Sequence, residues 1–211
     1  MQLIEFPDYK SYVDIQKWTV GRRGIGPFFH AVAMKKMCRW MKWYRRRDGK
    51  PLNGICHGAR NGLEADEFTK HFPGSTVIGT DLFPHSGRSA NYSGFSEVIE
   101  WDFSEQKEEW IGVFDFVYSN SLDHARDPLV CLRVWLDQLK PKGCMFIQWG
   151  MARVKASGGD CFGATIPELI RMINEVGKVV ELLYVKAPYK DNDILQRRGL
   201  ETITLVALKK T

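Results

Sequence analysis

The stretch NGICHGARNGLEADEF, Asn53 to Phe68, changes character twice in quick succession. A short apolar run breaks into two glycines four residues apart, Gly58 and Gly62, and a helical pattern follows. That order reads as strand, tight turn, helix. In a doubly wound sheet a ligand lies outside the carboxyl ends of the strands, and the first strand-to-helix turn uses glycine so that backbone can approach it closely. Gly58 and Gly62 are placed for that role. The free N–H groups of the helix starting near Gly62 favour a carboxylate or phosphate above them.

Outward from this turn the chain keeps alternating. Apolar runs at LNGICHG, TVIGTD, SEVIEWDF, FDFVYSN and CMFIQWG are separated by helix signals, of which DPLVCLRVWLDQL is the clearest. Asp127 and Pro128 make an N-cap and first-turn pair, and KPKG closes that helix. TIPE, Thr165 to Glu168, has capping-box spacing ahead of a helix that Gly177 can end. Two β-rich runs, KVVELLYVKAP and ETITLVALKK, finish the chain around a polar loop from Tyr189 to Gly199. The pattern predicts an α/β, Rossmann-like, seven-stranded and mostly parallel sheet with helices on both faces and an antiparallel C-terminal strand. Residues 1–50 read as an N-terminal helical segment capping the same domain, and residues 51–211 as the domain proper.

Composition narrows the class further. A chain of 211 residues that is 44% hydrophobic buries a full core. No apolar run reaches the roughly 18 residues of a membrane span, and MQLIEFPDYK has neither the basic start nor the apolar centre of a signal peptide, so a cytoplasmic protein is expected. The five cysteines are scattered with no C-x-x-C pair, which points to reduced core residues and away from zinc or disulfides. No metal site is expected, because His30, His71 and His85 have no partner at ligand spacing. Ten Lys or Arg against Asp48 give the segment Gly21 to Lys50 a charge of +9, which leaves −4 for the remainder. Within it AVAMKKMCRWMKWYRRR reads as an amphipathic helix with Met37, Trp40, Met41 and Tyr44 on one stripe. Its basic face is either simply solvated or a patch for phosphates, with RNA as the macromolecular case.

Two acids complete the pocket. Asp81 ends the second strand, 19 residues beyond Gly62, where a carboxylate accepts hydrogen bonds from both ribose hydroxyls. Asp102 ends the next strand and suits an adenine amino group. From Gly58 the chain reads GARNGL, which fails the dinucleotide pattern G-x-G-x-x-G, and it has no phosphate-loop motif. Two acid-ended strands without a pyrophosphate cradle fit S-adenosylmethionine.

At this point the chain resembles the class I S-adenosylmethionine-dependent methyltransferases. GICHGARNG is similar to their first motif, VIGTDLFP to the second strand with its ribose-binding acid, and VIEWDF to the third motif with its adenine-binding acid. FDFVYSNSLDHARDP resembles the fourth strand and its loop, and LKPKGCMFIQW the turn into strand five. SNSLDHARDP and DCFGAT are further similar to a poorly characterised bacterial branch of small methyltransferases. The resemblance implies a methyltransferase whose cofactor touches Gly58, Arg60, Gly62, Asp81, Leu82, Asp102, Phe103, Ser119 and Asn120. His124 is the implied catalytic residue or a structural histidine, with Asp123 and Trp149 lining the acceptor. Two positions depart from the pattern. The usual acid two residues before the first glycine is Cys56, and the usual middle glycine is Arg60, which either crowds the cofactor or brings a guanidinium to its carboxylate. A small polar or glycan-like acceptor is expected, RNA is the alternative, and a third reading is a cofactor-binding protein without transfer activity.

Overall fold

A computed structural model describes residues 1–22, 31–45, 51–84, 96–151, 153–186 and 201–209. In chain order the elements are β1 (Gln2–Leu3), α1 (Tyr9–Arg22), α2 (Ala31–Arg45), β2 (Asn53–His57), α3 (Leu63–His71), β3 (Thr76–Asp81), β4 (Val98–Glu100), β5 (Phe114–Ser119), α4 (Pro128–Asp137), β6 (Leu139–Gly150), β7 (Phe162–Gly163), α5 (Ile166–Val176), β8 (Gly177–Lys186) and β9 (Glu201–Lys209). Seven of the strands form one sheet in the order β4-β3-β2-β5-β6-β9-β8. Pairing is parallel from β4 across to β6, and β9 runs antiparallel to both β6 and β8. The strand order reverses between β2 and β5, so a crevice opens at their carboxyl ends.

Alternation along the strands builds two cores. Ile55, Val117, Met145 and Ile147 point to the face covered by α4 and α5, where Trp135 and Leu169 are buried. Cys56, Phe116, Tyr118 and Phe146 point to the face covered by α2 and α3, where they meet Met34, Met37, Trp40, Met41 and Phe68. The helix signals act as read. Asp127 accepts the N–H groups of Leu129 and Val130 at 3.1 and 3.0 Å, and Glu168 accepts the N–H and hydroxyl of Thr165 at 2.9 and 2.7 Å. All five cysteines are buried and free.

Two boundaries and one pairing differ from the expectation. KPKG does not separate helix from strand, because β6 already begins at Leu139. Lys142 adopts φ 64 within this segment, and the register with β5 shifts between Phe114 and Phe116. β4 ends at Glu100, two residues before Asp102. A second, two-stranded sheet pairs β1 with β7, Gln2 opposite Gly163 and Leu3 opposite Phe162. The loop Tyr189 to Gly199, His30, His85 and the ends of the basic segment lie outside the described residues.

α1 is the element that positions the site. Tyr9, Tyr12, Gln16 and Val20 recur at helical spacing, and each meets a different part of the sheet's carboxyl edge. The Tyr9 hydroxyl donates to Asp102 Oδ2 at 2.8 Å and the Tyr12 hydroxyl to the His124 carbonyl at 3.1 Å. Gln16 Nε2 donates to the Gly159 carbonyl at 2.8 Å, and Val20 accepts from Arg60 Nη2 at 2.8 Å. The helix is thereby fastened to the segments following β2, β4, β5 and β6, and it roofs the crevice.

Candidate functional site

Beneath α1 lies a cleft of about 110 Å³ that opens to solvent. Its floor is the glycine turn. Gly58 has φ +71, and a Cβ there would stand 2.4 Å from the Ser121 side chain, so only glycine fits. Gly62 has φ 78 and starts α3 without itself lining the cleft. Arg60 keeps the left-handed conformation, φ 45, that a glycine would adopt more easily. Its guanidinium extends to α1 as described, and its backbone N–H points to Asp81.

Asp81 is the anchored acid of the cleft. Its Oδ2 accepts from the Arg60 N–H and its Oδ1 from the Phe83 N–H, both at 2.9 Å. Each oxygen keeps a further lone pair, so a vicinal diol fits the carboxylate. Burial raises its pKa, opposed by those two N–H bonds. On the other side of β2, Ser119 Oγ donates to the His57 carbonyl at 3.0 Å and stitches the two strand ends together. Ser119 is itself fully buried; the cleft wall here is Asn120 and Ser121. Below the turn, His57 stacks on Trp135 with centroids 5.1 Å apart, and its two ring nitrogens lie 2.8 Å from Thr80 Oγ1 and Gln138 Oε1. Burial lowers its pKa to about 4, so the ring is neutral.

His124 lines the cleft from the turn after β5. Its Nδ1 lies 2.8 Å from the Gly159 carbonyl, which can only accept, so the proton sits on Nδ1 and Nε2 is left as the basic atom. Asp160 Oδ1 is 3.5 Å from that Nε2. Asp123, His124 and Asp160 bring ligand-type atoms within 4.8 Å of one another, a proximity the sequence spacing did not suggest. The Arg153 guanidinium is already 2.8 Å from Asp123 Oδ2, so it supplies positive charge there.

Of the residues expected at the site, Gly58, Arg60, Asp81, Leu82, Phe103, Asn120 and His124 converge on the cleft. Asp102 stands aside: its carboxylate takes the Ser104 N–H and hydroxyl at 2.9 and 2.6 Å and the Tyr9 hydroxyl, and Phe103 forms the wall. Asp123, 2% exposed, and Trp149, 1% exposed, are packed under the site and do not line it. The Trp149 indole N–H donates to the Ala164 carbonyl at 3.1 Å, which makes it a core residue. The cleft also takes in residues that sequence reasoning missed: Tyr12, Gln16 and Thr19 from α1, Glu64 from α3, and Arg153 after β6.

The sheet order is that of the class I S-adenosylmethionine-dependent methyltransferase fold. Among solved structures, 1,6-didemethyltoxoflavin-N1-methyltransferase from Burkholderia thailandensis, with bound 1,6-didemethyltoxoflavin and S-adenosylhomocysteine, matches at TM-score 0.67 and 17% identity, over 99% of this chain and 94% of that one. A TehB-like S-adenosylmethionine-dependent methyltransferase from Corynebacterium glutamicum matches at TM-score 0.56 and 16% identity, over 92% of this chain and 95% of that one. The (4+2)-cyclase SpnF matches at TM-score 0.58 and 13% identity, over 82% of each chain. No protein-family model and no curated protein sequence matches the chain.

Proposed function

We propose that the chain binds S-adenosylmethionine in the α1-roofed cleft and transfers its methyl group to a small polar or glycan-like acceptor. The observation that carries this is the Asp81 carboxylate, fixed by two backbone N–H groups at the mouth of the glycine turn with lone pairs left for a ribose diol. The cofactor, when bound, supplies a methyl group activated on a sulfonium, whose thioether leaving group needs no proton. Asp81 holds the ribose, the Gly58 turn admits the tail close to backbone, and Asn120 and Ser121 flank it. The protein's work is then positioning. His124 takes a proton from a hydroxyl acceptor through Nε2, and Asp160 beside it stabilises the charged ring that forms.

The match to SpnF shows why the fold alone does not fix transfer, so the test starts with binding. Calorimetry should give S-adenosylmethionine and S-adenosylhomocysteine binding, with NAD and ATP weak. Asp81→Ala should weaken both ligands by about 1–3 kcal/mol, the cost of stranding buried hydroxyls. Equal binding by wild type and variant would refute this placement of the ribose. Binding without any methyl transfer in an acceptor screen would favour the reading of a cofactor-binding protein.

RNA as acceptor rests on one observation, the exposed face of α2 with Lys35, Lys36, Arg39 and Trp43, the last 74% exposed. Against it, α2 lies on the sheet face beside α3 and contributes no residue to the cleft lining. Tight RNA binding whose affinity falls with salt at about −0.7 per phosphate contacted, lost when Lys35, Lys36, Arg39 and Lys42 are neutralised together, would establish RNA. Among the described residues no helix is long and apolar enough to cross a membrane.

A further inference from the structure

Glu64 has no task in the scheme above. It stands in the first turn of α3, 4% exposed, with its side chain in the cleft wall. A carboxyl taken out of water needs a cation or several donors to remain ionised. Its donors are its own backbone N–H and the Asn120 side chain, while Asp81 stands close enough to repel it. Among the described residues no ion pair involves Glu64. Burial, reinforced by Asp81, pushes its pKa up to about 8. Among the described residues this acid of the cleft wall has no counter-charge.

Its position also fits the direction of the cleft. Asp81 ends β3 on one side of β2, whereas Asn120, to which Glu64 is bonded, follows β5 on the other. A ligand that starts at Asp81 and crosses the Gly58 turn reaches Asn120 and Glu64. On the strand just before that turn the chain has Cys56, a fully buried thiol on which Glu64 exerts the largest influence after burial itself. No carboxylate comes from β2 at that point.

We propose that Glu64 is the anion that receives the α-ammonium of the cofactor's methionine end. This rests on the S-adenosylmethionine reading above. The ammonium gives Glu64 its missing counter-charge, and Asn120 holds the carboxyl in position for it.

The experiment compares two probes on the full chain by calorimetry. S-adenosylhomocysteine carries the ammonium; 5′-methylthioadenosine has the same adenosine and thioether but no amino acid end. Glu64→Gln should weaken S-adenosylhomocysteine by about 10- to 100-fold, as for a lost charge-assisted hydrogen bond, and leave methylthioadenosine within about twofold. Glu64→Asp, which keeps the charge on a shorter arm, should recover part of the loss. An equal loss for both probes would make Glu64 a structural residue of the cleft and overturn the assignment, as would no loss for either. Wild-type protein that binds neither probe would instead sink the cofactor reading itself.

Discussion

Glu64→Gln should also make the ligand-free protein more stable, and the size of the gain is set by pH. In the unfolded chain this carboxyl ionises near 4.5, whereas in the folded chain it keeps its proton up to about 8. Between those values the native state holds one proton more than the unfolded state. The stability it contributes is therefore full below pH 4.5 and is lost as pH rises toward 8. At about 1.4 kcal/mol per unit, the shift from 4.5 to about 8 amounts to roughly 3–5 kcal/mol, a large part of the 5–15 kcal/mol that holds a domain together. A glutamine keeps the amide-sized shape and can still bond Asn120, yet it titrates nothing. Urea unfolding of both proteins at pH 5, 6.5 and 8, without ligand, is the assay. The two curves should nearly coincide at pH 5 and separate progressively, with the variant ahead by several kcal/mol at pH 8. Parallel pH dependences would show that Glu64 is not held protonated, and the reasoning from its burial would fail.

His57 supplies the opposite slope. Its pKa falls from 6.5 to about 4, so the unfolded chain takes up a proton that the native ring refuses, and roughly 2–3 kcal/mol is lost as pH drops from 6.5 to 4. Its ring resonances in NMR should stay unmoved from pH 8 down to 5; an inflection near 6.5 would contradict the neutral, doubly bonded ring. His124→Ala should lower turnover by about 10²-fold or more with cofactor affinity nearly unchanged, as loss of a general base requires, and an unchanged rate would return His124 to holding the loop. Arg60→Gly should relieve about 1 kcal/mol of left-handed backbone strain yet release α1 from the turn, so S-adenosylhomocysteine should bind about tenfold more weakly and α1 amides should exchange faster. Tighter binding would mean that Arg60 obstructs the cofactor.

The framework of the sheet was legible because its signals are local. The run ending at His57, the glycines after it and Asp81 at the end of the next strand form a unit whose chemistry is confined to about thirty residues. Asp127 and Thr165 announced their helices for the same reason. What stayed hidden depends on partners far along the chain. Tyr12 and Gln16 occupy one helical stripe, but it mixes aromatic and amide side chains and so escapes a search for apolar periodicity. Arg153 gives no local sign that it will bond the Asn120 carbonyl at 2.7 Å. Glu64 reads as one of the acids usual in a first helical turn, and only burial separates it from Glu67, whose neighbours are Lys70 and His71. Trp149 was ambiguous from sequence because a tryptophan after a strand suits either a pocket wall or a core.

The pairing of β1 with β7 bears on the order in which the cleft can come into being. Gln2 and Leu3 precede their strand partners, Gly163 and Phe162, and the Gly159 carbonyl that fastens Gln16 by about 150 residues. At roughly 5–20 residues per second, these last fastenings of α1 and β1 come on the order of ten seconds after the helix itself is made, later than the partners of Tyr9, Tyr12 and Val20. The glycine turn and the Asp81 end of the cleft are thus synthesised before the last two fastenings of their roof. A nascent chain interrupted before residue 159 would lack both the Gly159 carbonyl that holds Gln16 and the strand that pairs with Gln2 and Leu3.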